Sequence, residues 1–582
     1  MRLSRVVAAI TASAVVVAQP VLVANWDSYV QYNGFERNGI EVFLNIPYGQ
    51  DTGGANRFKP PKPFVPVPGT TYDATKAGPA CPQSLGQWYP PLTLGNITAI
   101  SEDCLNLNVA RPKLNGTGRS LPVMVWIHGG SFWAGSNMEP THMPDGLILE
   151  SIANKMPIIH VALNYRLGIF GFAQSDALKK EGSENAGLRD QRLGIEWVRD
   201  NIAHFGGDPE SITIFGQSSG GLSVGMQLMA YGGTKPLPFK KGIAESQVLE
   251  PGITGNFTIN AMTNVVNYVG CNTTLVHAPE VIECLRNLDT ATLFNASFNT
   301  YTGDISHNIG DIWLPSVDGD FLPAPPSQLA LEGRFGNATY TMGWTEDDVN
   351  FFTDFSIATD NDTVNFLLDY LPATWVDSGR KWVGRLLELY PVSDFKAPPN
   401  TNLTVEFYRA ARVFRDILMV CEPIFMAQAM KKKGLDVYLY TFNQTILEPI
   451  IQSLYNVSQI GVVHTSEFAY TYGNLSHWNV SGYPFDHKPE DYTLRRRASR
   501  SWSAFAYYLK SGPSIPDTGT FQNWLPTFDN MVANMWVFVI GGPREGLSAM
   551  DGFWSYEEIK KQRLRERCAF INDPAFIKVL QF

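Results

Sequence analysis

Short continuous apolar runs alternate with longer amphipathic stretches through the first half of the chain. VMVWIH from Val123, PIIHVALNY from Pro157 and SITIF from Ser211 suit strands buried on both faces. Between the last two lies AGLRDQRLGIEWVRDNIAHF from Ala186, in which Leu188, Leu193, Ile195, Trp197, Val198 and Ile202 fall near one helical face. Gly206-Gly207 supplies the stop. Buried strands separated by a helix imply parallel pairing through crossover connections. The region from about Pro251 to Pro326 is richer in Asn, Thr and Pro and reads as an irregular insertion, after which TYTMGW from Thr339 and DVYLYTF from Asp436 resume the strand pattern. There is no internal repeat and no linker long enough to mark an independent second unit. The pattern predicts one α/β domain over residues 19–582, with a large, mostly parallel central sheet, helices on both faces and long insertions.

The N-terminus reads differently. Arg2 and Arg5 precede the apolar run from Val6 to Ala18, and small residues follow around Ala18 and Ala24. This is the pattern of an export signal over residues 1–18, with cleavage as late as residue 24. The run is too short to span a bilayer, which takes about 20 apolar residues, and Gln19-Pro20 interrupts it. No later stretch reaches spanning length, so the expected product is secreted and has no transmembrane segment. Six cysteines fit disulfides in an oxidising compartment. Sequons stand at Asn96, Asn115, Asn256, Asn272, Asn295, Asn337, Asn361, Asn402, Asn443, Asn456, Asn474 and Asn479, each a glycan acceptor if the chain enters a secretory pathway. With 44% apolar residues, 17% charged residues and a net charge of -10, the chain is neither disordered nor coiled coil. It has no basic block, which excludes nucleic acid as a partner.

Two G-x-S-x-G strings lie in tandem, Gly216-Gln217-Ser218-Ser219-Gly220 and Gly221-Leu222-Ser223-Val224-Gly225. A nucleophile elbow needs a strand that ends in a sharp turn opening a helix, because only that turn lifts the hydroxyl above the sheet. Ser218 follows SITIF and meets this requirement; Ser223 falls inside the ensuing helix, where its glycines read as packing residues. A serine hydroxyl also needs an imidazole to take its proton and a carboxylate to fix the tautomer. In this fold class both follow the serine in chain order, the acid first. His277 and His307 come too early to follow an acid-bearing strand end, and His477 and His487 lie in a polar stretch beside sequons, which leaves His464 in GVVHTSEFAYTYG. Strand TYTMG runs into WTEDDVNFF, so the acid is one of Glu346, Asp347 and Asp348. VWIHGGSFWAGS places a Gly-rich turn directly after a strand, and the backbone N–H groups of Gly130, Ser131 and Ser219 are the candidates for holding an oxyanion. HTSEF lacks metal-ligand spacing and no phosphate-cradling glycine loop is present, so no metal and no organic cofactor is expected.

EDCLNLNV from Glu102, WIHGGSF from Trp126, NYRLGIFGF from Asn164, NAGLRDQRLGIEWVRDNIAHFGGDP from Asn185, FGQSSGG from Phe215 and GVVHTSE from Gly461 together resemble, in order, the signature segments of the type-B carboxylesterase/lipase family, the cholinesterase-like α/β-hydrolases. The resemblance spans nearly the whole chain after the export signal. It implies an α/β-hydrolase fold, a small-molecule or lipid ester as substrate, and Asp348 as the acid, with Asp347 next in line. It also implies the disulfides Cys81–Cys104, Cys271–Cys284 and Cys421–Cys568. In related lipases the first such loop, here holding Leu85, Trp88, Tyr89, Pro90, Pro91 and Leu92, acts as a lid in transient contact with a lipid interface. Glu102 with Arg166 is expected as a structural ion pair, and Glu467 as a support of the histidine loop. Three departures matter: Ser131 stands where relatives commonly carry Gly, Gln217 where cholinesterases carry Glu, and no Trp matches the choline-stacking position, so choline esters are poor candidates. The opposing class is a catalytically silent adhesion or interaction protein on the same fold.

Overall fold

The computed structural model describes residues 21–25, 29–114, 120–272, 274–304, 311–370, 379–480, 482–483, 487–508, 512–528 and 535–582. Its strands are β1 (Val21–Asn25), β2 (Val30–Arg37), β3 (Ile40–Pro47), β4 (Thr71–Asp73), β5 (Asn106–Pro112), β6 (Leu121–Ile127), β7 (Ile159–Leu163), β8 (Gly207–Gln217), β9 (Lys241–Glu245), β10 (Thr339–Thr345), β11 (Val437–Phe442), β12 (Trp536–Ile540) and β13 (Gly546–Ala549). Across the sheet they lie in the order β1-β2-β3-β5-β7-β6-β8-β9-β10-β11-β12-β13, with β4 attached to β2. Every pairing from β7 to β12 is parallel, while β1-β2, β2-β3, β3-β5, β5-β7 and β12-β13 are antiparallel.

The apolar runs become buried strands because both faces of the sheet are covered. In β6, Val123, Val125 and Ile127 enter one core and Met124 and Trp126 the other. Helix α1 (Ala186–Asn201) lays Leu188, Ile195 and Val198 on the first core and ends near Gly206, whose φ of 83° closes the turn. On the opposite face a long late helix, Pro489–Tyr507, sets Leu494, Ala498, Trp502 and Phe505 against the second core. From β6 the chain crosses to β7 on one side and then to β8 on the other, so the strand order reverses at β6. In open α/β sheets the crevice at such a reversal, outside the carboxyl ends of the strands, is where ligands bind.

The insertion from about Pro251 to Pro326 is not irregular. It holds three helices, α2 (Phe257–Tyr268), α3 (Pro279–Asn287) and α4 (Thr290–Asp304). Their outward faces carry the polar residues that masked the period, while Ala261, Met262, Val265, Val281, Ile282 and Leu285 are buried. The cysteines are bonded Cys81–Cys104, Cys271–Cys284 and Cys421–Cys568. Among the described sequons, Asn96, Asn256, Asn272, Asn295, Asn337, Asn361, Asn402, Asn456 and Asn479 are exposed and Asn443 is half-buried. Asn474 corrects the expectation: it is buried, and its Nδ2 donates to Met143 O at 2.6 Å, which leaves no space for a glycan. Asn115 and the predicted export signal lie outside the described residues. Among the described residues no helix is long and apolar enough to cross a membrane.

Candidate active site

At the end of β8 the backbone turns through Ser218 with φ 61° and ψ −133° and enters a helix over Ser219–Met229. A non-Gly residue in that conformation is strained and is held only by its surroundings. The flanking glycines are required by contact: a Cβ on Gly216 would lie 2.5 Å from Gly220 O, and one on Gly220 would lie 2.2 Å from Ile127 O. Ser223 sits in the helix as expected, its Oγ donating to Ser219 O at 2.8 Å and accepting from Gln191 Nε2 at 2.9 Å. It faces no cavity.

The other strand ends deliver the remaining groups. Asp348 follows β10; its Oδ2 accepts from Thr345 N at 2.8 Å and its Oδ1 faces His464 Nδ1 at 2.5 Å. His464 N donates to Asp348 O at 3.0 Å, so the two loops are joined by backbone as well as side chain. Both side chains are buried. The neighbouring acids are turned elsewhere: Glu346 accepts from Gln562 and lies beside Arg412 and Arg415, and Asp347 accepts from Val462 N at 3.0 Å. Ser218 and His464 both open on one cleft. The partner of His464 Nε2 is the amide Nε2 of Gln217, at 3.1 Å.

Gly130 and Ser131 line the same cleft on the turn after β6. Their φ values of 111° and 56°, with 53° at Phe132, fold the backbone back on itself. Phe132 N donates to Ser219 Oγ at 3.2 Å, tying this turn to the first residue of the helix behind Ser218. The Ser131 hydroxyl reaches Asp311, a half-buried acid whose pKa desolvation raises and which shares a hydrogen bond with Glu250. His128, at the head of the turn, is buried, which lowers its pKa to about 4 and keeps it neutral. Among the described residues no group of three His, Cys, Asp or Glu side chains is placed to hold a metal ion.

Aromatic and apolar groups form the remaining walls. Trp88, Tyr89 and Leu92 of the Cys81–Cys104 loop line the cleft, opposite Phe352 and Phe468. Tyr89 stacks on Phe352 at 5.9 Å, and Tyr455 donates its hydroxyl to Pro90 O. Sequence reasoning missed the clamp at the loop's far stem, where the buried Glu139 carboxylate accepts from Leu94 N at 2.7 Å and Gly95 N at 2.8 Å. Nothing in the spacing of Glu139 signals that role. The proposed Glu102–Arg166 pair is corrected: Glu102 binds Arg57 at 2.5 Å, and Arg166 binds Asp190 at 2.6 Å. Each arginine is buried and meets the nearer acid that the folded chain presents. Glu467 is fully buried with neither carboxyl oxygen hydrogen-bonded among the described residues. Burial, then Glu245, then Asp348 push its pKa well up. Glu245, which accepts from Trp502 Nε1 at 2.7 Å, is raised by burial to about 8.

Comparison with known proteins accords with this architecture. The model of the carboxylesterase family matches residues 29–535. A protein of Arthroderma benhamiae named as a secreted lipase is 48% identical over 573 residues, 98% of each chain. An inactive carboxylesterase-like protein of Byssochlamys spectabilis is 35% identical over 497 residues, 82% of this chain and 81% of its own. The crystal structure of Aspergillus niger EstA shares the fold, with a TM-score of 0.76 at 24% identity over 97% of this chain and 99% of that one. By the reach of the family match and the identity to its relatives, the chain belongs to the carboxylesterase family, carboxylic ester hydrolases of the α/β-hydrolase fold.

Proposed function

We propose that the chain is a secreted serine ester hydrolase that works through an acyl-enzyme. Ser218 Oγ attacks the ester carbonyl while its proton passes to His464 Nε2, and Asp348 holds the imidazole by its Nδ1. The carbonyl π electrons move to oxygen, where the N–H groups of Gly130, Ser131 and Ser219 meet the charge. Collapse of the tetrahedral adduct expels the alcohol, which takes the Nε2 proton, and water repeats the sequence to release the acid. The observation that carries this reading is the 2.5 Å contact of Asp348 with an imidazole that shares one cleft with the strained Ser218.

The aromatic and aliphatic lining favours neutral esters with apolar acyl chains, and relatives named lipases support lipid esters within that class. Leu85 is 63% exposed on the Cys81–Cys104 loop, as a lid that meets a lipid interface requires. Secretion fits the relatives' names and the bonded cysteines. Cleavage near residue 18 is preferred over residue 24, because the later cut removes four of the five residues of β1. The silent alternative gains weight from the inactive relative, and one assay separates the two. Ser218→Ala should abolish hydrolysis of p-nitrophenyl butyrate by the purified chain; full activity in that variant ends the proposal. Profiling acyl length with and without an oil–water interface then distinguishes lipase from general esterase.

A further inference from the structure

Gln217, the last residue of β8, is buried, and its backbone is fixed by pairing with Glu245 on the neighbouring strand. Its side chain meets the one nitrogen on which the proposed chemistry depends. With Nδ1 directed at the Asp348 carboxylate, the ring proton belongs on Nδ1 and Nε2 presents a lone pair. A contact of 3.1 Å with that lone pair requires a donor, and the amide nitrogen is the half of the Gln217 side chain that can supply one. Facing the amide oxygen to Nε2 would set two lone pairs against each other. Among the described residues, the Gln217 amide and not the Ser218 hydroxyl is the hydrogen-bond partner of Nε2.

We infer that Gln217 is a positioning residue for His464, serving the imidazole in both of its charge states by turning its amide over. This rests on the assignment of Ser218 and His464 given above. In the resting enzyme the amide N–H donates to neutral Nε2, so Asp348 and Gln217 hold the ring from its two nitrogens and keep it on the Nδ1–H tautomer. When an ester enters and the Ser218 proton moves to Nε2, the ring nitrogen becomes a donor. A half-turn about the last side-chain torsion of Gln217, a soft twofold rotation, then presents the carbonyl oxygen as a second acceptor, in a three-centre bond that the Nε2 proton shares with the leaving-alcohol oxygen. The proton lost by Ser218 Oγ is the proton gained by Nε2 and later by the leaving alcohol; Gln217 exchanges hydrogen bonds and no atoms. A carboxylate at this position accepts only and favours the imidazolium; an apolar side chain serves neither state.

The groups that set the charge around His464 are Asp348 on the turn after β10, Glu467 on its own segment, Glu245 at the end of β9, Asp311 behind Ser131, and the buried His128 on the turn after β6. Among the described residues none of these groups is hydrogen-bonded to Nε2, which Gln217 meets at 3.1 Å.

The test uses the full chain with Gln217→Met and Gln217→Glu, assayed on p-nitrophenyl butyrate from about pH 5 to about pH 9. Gln217→Met, close in shape but unable to make either hydrogen bond, should lower kcat about tenfold, the factor one buried hydrogen bond carries, with KM within about twofold. Gln217→Glu should move the acid limb of kcat/KM to higher pH by about one unit, because a neighbouring carboxylate favours the imidazolium. Labelling of Ser218 by a fluorophosphonate counts folded sites, and if the charged variant does not fold, the Met variant decides alone. A Met variant with kcat within about twofold of wild type overturns the inference. So does a loss confined to KM, or a Glu variant whose acid limb stays in place. If Ser218→Ala is inactive while Gln217→Met behaves as wild type, this inference falls and the proposed function stands; an active Ser218→Ala removes both.

Discussion

Asp348→Asn isolates the tautomer from everything else in the site. The substitution keeps the shape of the side chain, but Thr345 N already donates to the Oδ2 position at 2.8 Å, so the new carbonyl oxygen must stay there. The new NH2 is thereby aimed at His464 Nδ1 across the 2.5 Å contact and can only donate to it. The ring proton then moves to Nε2, and the nitrogen that should take the Ser218 proton is occupied. Reaction through the amide turned the other way leaves Thr345 N–H unpaired in a buried site, about 1–3 kcal/mol, and replaces a bond to a charged acceptor by a neutral one, a loss of about 1 kcal/mol. Together these give about 2–4 kcal/mol, or roughly 30- to 10³-fold in kcat. Steady-state hydrolysis of p-nitrophenyl butyrate should show that loss in kcat with little change in KM. The melting temperature should stay near wild type, since the substituted side chain keeps the same number of hydrogen bonds. Asp347→Asn, whose side chain accepts from Val462 N instead, is the control and should leave kcat near wild type. A kcat for Asp348→Asn within about tenfold of wild type refutes the assignment of Asp348 as the group that fixes the tautomer.

The Cys421–Cys568 bond closes a loop of 147 residues, against 13 for Cys271–Cys284. In the chain-entropy account these contribute about 5 and about 3 kcal/mol, so urea unfolding should place the Cys421→Ala/Cys568→Ala double variant well below the Cys271→Ala/Cys284→Ala pair; equal midpoints would contradict that account. Glu245 holds its proton more tightly folded, up to about 8, than at the ordinary 4.5. Its contribution to stability is therefore full below about pH 4.5 and is lost as the pH rises through about 8. Glu245→Gln keeps the oxygen that Trp502 binds and removes this dependence, so its thermal stability relative to wild type should improve steadily across that window. A constant difference would show that folding does not raise the pKa of Glu245.

The strands, the first crossover helix and the order of the site loops were legible because each is encoded locally. Fully apolar runs such as VMVWI need cover on both faces, and Gly216 and Gly220 stand where backbone contacts of 2.5 and 2.2 Å exclude any side chain. The helices between Pro251 and Pro326 were hidden because sequons and Thr residues crowd their outer faces and dilute the apolar period. Choosing among Glu346, Asp347 and Asp348 by pattern alone was not feasible, since three adjacent residues on a turn point in three directions and only the packing of Arg412, Val462 and His464 separates them. The Arg57–Glu102 and Arg166–Asp190 pairs join distant segments, and no periodicity links charges that meet only after folding.

The buried acids beneath His464 bear on why residue 217 carries no charge. Asp348, Glu245 and Glu467 share one polar space, and in a low dielectric three adjacent carboxylates cannot all ionise. Their hydrogen-bond donors differ. Asp348 faces Thr345 N and the imidazole, Glu245 has Trp502 on one oxygen, and Glu467 has no partner among the described residues. Burial pushes both glutamates up, which limits the negative charge facing the imidazolium that the proposed mechanism forms. In the proposed mechanism a carboxylate at residue 217 would add negative charge beside the imidazolium, favouring the charged ring and slowing the return of its proton to the departing alcohol. The neutral amide of Gln217 and the raised pKa of the two glutamates work in the same direction, because each limits the negative charge beside His464.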